Sequence, residues 1–278
     1  MFEIVNKRVI APAIILMEVH APLIANKAMP GQFIMLRVDE EGERIPLTIA
    51  DYDRDQGNIT IMFQEVGYST KALGELNEGD NIRDFAGPLG KASNLEGLSR
   101  VLCVGGGVGI APLYPQIKYL HEQGAQVDVI IGARDREYII LKDEIEELAS
   151  NIYIATDDGS LGHKGFVTDL VKKLIEDENN YDEVIAVGPL VMMRAVSHIT
   201  KDYNIPTTVS MNPIMVDGTG MCGGCRVSVG GKVFYACVDG PDFDGHLVDF
   251  DEAMRRQQMY KQEEQVEHSC RLPREGKD

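Results

Sequence analysis

The stretch Arg100-Val101-Leu102-Cys103-Val104-Gly105-Gly106-Gly107-Val108-Gly109-Ile110-Ala111-Pro112 decides the fold. Val101 to Val104 is a short apolar run, and glycines fill the turn that follows it. Ile110, Leu113, Ile117 and Leu120 then recur on one face of a helix. A strand that turns through glycine into a helix opens a parallel α/β sheet. The alternation continues with apolar runs at 127–131, 152–155 and 183–187, which predict strands. Periodic stretches at 141–148 and 167–174 predict helices that bury Leu141, Ile145 and Leu148, then Val167, Leu170, Val171 and Leu174. The expectation for 98–210 is a parallel sheet with helices on both faces and a ligand at the carboxyl ends of its strands. Residues without side chains in the turn let a pyrophosphate reach the backbone, where a helix N-terminus favours its charge. Gly107, Gly109 and Pro112 are candidate contacts. Asp157, Asp158 and the pair Gly188-Pro189 join them at other strand ends. The spacing is not G-x-G-x-x-G, and a turn that merely tightens the strand–helix connection is the competing reading.

Working outward, residues 1–97 read as β structure. Ile59, Ile61 and Phe63 alternate with Thr60, Met62 and Gln64, and apolar runs at 9–17 and 33–38 are separated by turn signals such as Pro30-Gly31. Short strands with frequent turns suggest a small antiparallel barrel. Within it, Arg44-Ile45-Pro46-Leu47-Thr48 and Gly67-Tyr68-Ser69-Thr70 bring an arginine and hydroxyl groups suited to a phosphate and an isoalloxazine edge.

Beyond residue 210 the composition shifts. Asp217-Gly218-Thr219-Gly220-Met221-Cys222-Gly223-Gly224-Cys225 is followed after eleven residues by Cys237, beyond a β-like pair of runs that folds back through Gly230-Gly231. The pattern is the plant-type [2Fe–2S] spacing with aspartate at the first position. A carboxylate is a harder ligand than a thiolate and favours the ferric state, which lowers the potential. A structural zinc held by the same four residues is the bland alternative. Cys103 reads as a small core residue and Cys270 as a free thiol in a polar tail. A charged helix is expected over 249–266, where a solvated face competes with partner docking.

Composition narrows the classes. The chain has 278 residues, 44% hydrophobic and 26% charged, with a formal net charge of −17. That surface repels phosphate backbones and anionic membranes, so neither nucleic acid nor membrane is an expected partner. No apolar run approaches the ~18 residues of a membrane span. The start, Met1-Phe2-Glu3, has no signal-peptide h-region. Five cysteines, an odd number, speak for metal or redox use rather than a disulfide framework, and the expected location is cytoplasmic.

Taken in order, R-x-P-L-T, G-x-S-T, G-G-G-x-G-x-A-P and D-x4-C-x2-C resemble the ferredoxin–NADP reductase superfamily. Within it the chain resembles the electron-transfer subunits of dihydroorotate dehydrogenase B and their relatives. Those subunits carry four cysteines. Asp217 in place of the first is similar to the small subunits of NADH-dependent ferredoxin:NADP⁺ oxidoreductase, also known as the sulfide dehydrogenase type. The resemblance implies three parts: an FAD-binding β-barrel at 1–97, an NAD(P)-binding α/β domain at 98–210, and a [2Fe–2S] module with a C-terminal helix and tail at 211–278. It implies FAD against Arg44, Pro46, Leu47 and Thr48, with the Thr48 hydroxyl near N5 as the catalytic contact. Met62, Phe63 and Gln64 would flank the ribityl and adenine side, and Gly67, Ser69 and Thr70 the pyrophosphate. NAD(H) would lie over Gly107, Gly109 and Pro112. Asp217, Cys222, Cys225 and Cys237 would hold the cluster. The implied activity is NADH oxidation with electrons passed to or from a large subunit that carries FAD and [4Fe–4S] clusters and bifurcates electrons between ferredoxin and NADP(H). Arg134 and Arg136 leave NAD against NADP open at the level of residues; the resemblance favours NAD(H). Two alternatives remain: a dihydroorotate dehydrogenase subunit, or a non-catalytic zinc-containing nucleotide-binding scaffold.

Overall fold

The computed structural model describes residues 2–177 and 180–259. The expectations for Cys270 and for 260–266 of the charged helix fall outside the described residues.

The N-terminal part is a seven-stranded antiparallel sheet. Its strands are β1 (Phe2–Ala11), β2 (Ile14–His20), β3 (Phe33–Arg37), β4 (Ile45–Asp53), β5 (Asn58–Gln64), β6 (Asn81–Ile82) and β7 (Asp84–Leu89), in the order β6-β1-β2-β5-β4-β3-β7. The outer strands β6 and β7 are separated in the chain only by Arg83, so the sheet curls until its two edges lie side by side, the near-closed barrel that the alternation predicts. Ile15, Met17, Ile34, Leu36, Ile49, Ile59, Ile61 and Phe63 fill its interior. The apolar run at 9–17 is not one strand. It breaks at Pro12-Ala13, where Ala13 has φ +57°, and returns as the β1–β2 hairpin. Two helices accompany the barrel, α1 (Pro22–Ala25) and α2 (Tyr68–Glu75). Sequence periodicity did not reveal α2, because eight residues around Gly74 carry a single buried apolar side chain, Leu73.

The second sheet contains β8 (Arg100–Gly106), β9 (Gln126–Ala133), β10 (Asn151–Thr156), β11 (His163–Lys164), β12 (Glu183–Val187) and β13 (Thr207–Ser210). Its helices are α3 (Ile110–Glu122), α4 (Lys142–Glu146), α5 (Val167–Glu176) and α6 (Leu190–Asp202). The strand order β11-β10-β9-β8-β12-β13 is parallel throughout and reverses direction of growth between β8 and β12. That reversal opens a crevice at the carboxyl ends of two neighbouring strands, the site such sheets use for ligands. The expected helices at 141–148 and 167–174 correspond to α4 and α5; α4 starts one residue later because Leu141 adopts φ +57° and caps it. Cys103 is buried in β8, and burial pushes its thiol up, as the core reading expects.

The C-terminal part adds the hairpin β14 (Arg226–Val229) and β15 (Lys232–Tyr235), which turns at Gly230-Gly231 as predicted. It continues through α7 (Ala236–Asp239), β16 (Asp242–Asp244) and α8 (Phe250–Gln257). β16 pairs antiparallel with β13 and so extends the α/β sheet. The three parts share cores. Ala50 and Met62 of the barrel lie in one apolar cluster with Ile110, Ala111 and Leu113 of α3, and Lys118 of α3 reaches Asp51 of β4 at 3.1 Å. On the other side, Phe33 and Met35 share a cluster with Cys225, Val227 and Cys237.

Candidate functional site

The glycine turn sits in the crevice between β8 and β12. A Cβ on Gly106 would come within 2.5 Å of Met192 Sδ, and one on Gly109 within 2.4 Å of Val187 O. These two glycines therefore let the turn and the Gly188-Pro189 loop close on each other, and Pro189 caps α6. Gly107 differs: its φ is +57°, and a side chain there would meet no atom within 4 Å. It offers bare backbone to open space just ahead of the thirteen-residue helix α3, whose first-turn N–H groups favour an anion. Pro112, half-exposed in that first turn, is tolerated because its missing N–H would have no intrahelical acceptor. Asp157 and Asp158 follow β10 and are exposed. Ser160 bonds hold the Asp158 carboxyl below its usual range. Asp157 N–H donates to Ala133 O, which ties this loop to the end of β9. Arg134 stacks 3.8 Å from the Tyr138 ring and pairs with Asp135 at 3.1 Å, so its charge is already matched.

In the barrel, pleat alternation sorts the flavin candidates. Pro46 and Thr48 lie on the outer face of β4, half-exposed, whereas Leu47 between them packs with the barrel core. On β5, Met62 and Gln64 share the outer face, and Phe63 is buried inside. Leu47 and Phe63 can thus offer only backbone to a ligand on the outer surface. Arg44 is exposed just ahead of β4. Gly67 caps α2, with Ser69 and Thr70 in its first turn. The Thr70 hydroxyl accepts from Val66 and Gly67 N–H (3.1 and 3.0 Å) and donates to Gly67 O. It is consumed in shaping the turn, which leaves the first-turn N–H groups of Ser69 and Thr70 as the groups fitted to phosphate.

The cysteine loop divides its four candidate ligands into two pairs. Cys225 and Cys237 are buried with their sulfurs 3.2 Å apart, too far for a disulfide. Burial and the hydrogen bond with Cys225 push the Cys237 thiol up to about 12. Asp217 accepts from Thr219 N–H at 2.8 Å and Cys222 N–H at 2.9 Å, and the Thr219 bond leads in holding its carboxyl below the usual range. Cys222 is exposed, and Gly224 N–H donates to its sulfur at 3.4 Å. Gly218, Gly220 and Gly223, all at positive φ, let the chain wrap this tightly. Among the described residues no three such side chains converge on a single-ion point. A zinc ion needs four ligands around one point, whereas a two-iron cluster takes two on each iron. The close sulfur pair 225/237 has the form of one such half, while Asp217 and Cys222 are linked through the Cys222 N–H.

Two contacts that the sequence did not reveal join loop and barrel. A Cβ on Gly218 would lie 2.9 Å from Met35 Cγ and 3.0 Å from Leu89 Cδ1, and Met35 is the direct β3 partner of Pro46. The cluster loop thus abuts the strand next to the flavin candidates, while α3 and the glycine turn flank them from the other side.

Residues 103–198 match an oxidoreductase NAD-binding domain, and residues 212–249 match the iron-sulfur cluster binding domain of dihydroorotate dehydrogenase B. A Thermotoga maritima protein named as a homolog of the dihydroorotate dehydrogenase B (NAD(+)) electron transfer subunit is 45% identical over 274 residues, 99% of this chain and 96% of that protein. This chain belongs to that family of electron-transfer subunits. A Clostridium beijerinckii protein, named only as an uncharacterized protein in the adh 3′ region, is 53% identical over 95% of this chain and 92% of its own length. A solved structure described as giving insights into flavin-based electron bifurcation, that of NADH-dependent reduced ferredoxin-NADP oxidoreductase, aligns with TM-score 0.93 and 44% identity over 98% of both chains. Phthalate dioxygenase reductase shares the fold, with TM-score 0.63 and 19% identity over 82% of this chain and 85% of that one. As a family member the chain is an oxidoreductase subunit that transfers electrons in company with a partner subunit. Among the described residues no helix is long and apolar enough to cross a membrane.

Proposed function

We propose that this chain is the NAD(H)-reacting small subunit of a flavin and iron–sulfur oxidoreductase, located in the cytoplasm, with an FAD-binding part at 1–97, an NAD(P)-binding part at 98–210 and a [2Fe–2S] part at 211–278. NAD(H) lies over Gly107, Gly109 and Pro112, bounded by Asp157, Asp158, Gly188 and Pro189. FAD lies along the outer face of β4 and β5 against Arg44, Pro46, Thr48, Met62 and Gln64, with backbone from Leu47 and Phe63 and with Gly67, Ser69 and Thr70 at its pyrophosphate. Asp217, Cys222, Cys225 and Cys237 hold a [2Fe–2S] cluster. The carrying observation is the placement of β4: the glycine turn and α3 on one side, Met35 and Gly218 on the other.

Bound FAD supplies what no side chain provides, acceptance of a hydride and release of single electrons. The protein's own groups bind, orient and insulate. Thr48 serves the reacting edge of the ring with its hydroxyl. The first turns of α2 and α3 receive phosphates. The apolar cluster of Ala50, Met62, Ile110 and Ala111 holds α3 against the barrel and keeps water out of that seam. The exposed Cys222 side of the loop would face a large subunit that carries FAD and [4Fe–4S] clusters and exchange electrons with it in either direction, and ferredoxin and NADP(H) would react there.

Affinity purification of the tagged chain from its native cells tests the assembly. Co-purification of a larger flavin and iron–sulfur polypeptide that couples NADPH oxidation to reduction of both NAD⁺ and ferredoxin is expected. Recovery of the chain alone, in native extract, would contradict it. The family names favour a second reading, a dihydroorotate dehydrogenase subunit; NAD⁺ reduction by dihydroorotate in the same complex would select it.

A further inference from the structure

Helix α8 delivers one side chain to the back of the cysteine turn. Arg256 Nη2 donates to Gly224 O at 2.9 Å, and Gly224 is also the residue whose N–H donates to Cys222 Sγ. Arg256 Nε is buried and meets no hydrogen-bond partner among the described residues. The same helix shows the ordinary alternative at Asp251, which pairs with Arg194 at 2.9 Å. Among the described residues no carboxylate makes such a pair with Arg256. A guanidinium keeps its charge at any physiological pH. Burying part of it costs free energy unless a negative neighbour compensates. The cysteine loop shares a cavity with it: Cys222, Gly224, Arg226 and Arg256 line one space of about 230 Å³. Once that loop holds iron, its thiolates and the Asp217 carboxylate supply the missing anion.

We propose that Arg256 is a positioning and charge-compensating residue of the iron–sulfur site, holding the Gly224 peptide in place and raising the one-electron potential that Asp217 lowers. The proposal rests on the [2Fe–2S] reading of residues 217–237. Two physical effects carry it. The fixed positive charge stabilises whichever state of the cluster bears the extra electron. The bond to Gly224 O also polarises the peptide that carries Cys225 N–H, making that N–H a stronger donor toward nearby sulfur.

The test is an anaerobic redox titration of the holo-chain, following the reduced cluster by EPR and the flavin by absorbance in the same sample, with iron content measured alongside. For R256Q with full iron, the reduced-to-oxidised ratio at a fixed potential should fall about tenfold, about 59 mV for a one-electron couple. The flavin potential should stay where it is. R256K keeps the charge and should remain closer to wild type than R256Q. Full iron with a wild-type cluster potential in R256Q would overturn the proposal, as would R256K falling as far as R256Q. If R256Q loses its iron, R256K decides: full iron at near-wild-type potential supports the charge role, and loss of iron from both variants reduces Arg256 to a clamp and overturns it. Absence of a reduced [2Fe–2S] signal from the wild-type holo-chain would instead reject the cluster reading, before any variant is compared.

Discussion

The glycine turn at 105–109 and the cysteine loop at 217–225 each carry four glycines, yet these answer to different demands. In the turn, Gly106 and Gly109 are dictated by the protein's own packing, since a Cβ would strike Met192 or the Val187 carbonyl. The crevice there follows from how β8 and β12 lie side by side. In the cysteine loop, Gly220 and Gly223 have positive φ and face mild or distant neighbours. Their conformation serves the Asp217 bonds and the placement of thiols, while Gly218 alone is wedged against the barrel. A parallel sheet builds its nucleotide site as a consequence of folding; the loop needs ligand bonds to complete it.

Substitutions can break this contrast at either end. The largest effect is expected from Cys225→Ala. It removes a buried sulfur 3.2 Å from Cys237, so iron content should fall toward zero while NADH affinity holds. Full iron in that variant would end the ligand assignment. Gly109→Ala is the mirror experiment: its Cβ must displace the Val187 carbonyl, at a cost of about 2 kcal/mol. Thermal denaturation and NADH titration should show lower stability and weaker binding with iron unchanged; unchanged NADH affinity would detach the turn from the nucleotide.

Smaller effects sharpen the contrast. Asp217→Cys should keep the cluster and raise its potential, read by the same EPR titration, because a thiolate favours the ferric state less than a carboxylate does. A potential at or below that of the wild type would contradict the aspartate ligand. Thr48→Ala should slow flavin reduction in stopped-flow by roughly two- to tenfold, the worth of one hydrogen bond, and leave the cluster signal untouched. Unaltered kinetics would remove Thr48 from the reaction.

What the sequence made legible follows from range. The β8–turn–α3 unit and the β14–β15 hairpin were readable because periodicity and glycine are local signals. The D-x4-C-x2-C spacing pointed to ligands because two thiols on one turn already share a target. The face assignment of Leu47 and Phe63 was half legible: alternation put Phe63 with Ile59 and Ile61, but only the register of β4 shows Leu47 facing the core. The break at Pro12-Ala13 hid inside a continuous apolar run. The pairing of β16 with β13, the wedge of Gly218 on Met35 and the reach of Arg256 to Gly224 are tertiary contacts between distant segments, which no local pattern encodes.

The proposed function requires an electron path between nicotinamide, a flavin on β4 and a two-iron cluster behind Met35 and Gly218. Visible and low-temperature EPR spectra of the anaerobically purified chain, before and after NADH, test it most directly. NADH should bleach the flavin absorbance and produce a rhombic reduced [2Fe–2S] signal. A colourless protein that contains zinc, or a flavin that bleaches without any cluster signal, would contradict it.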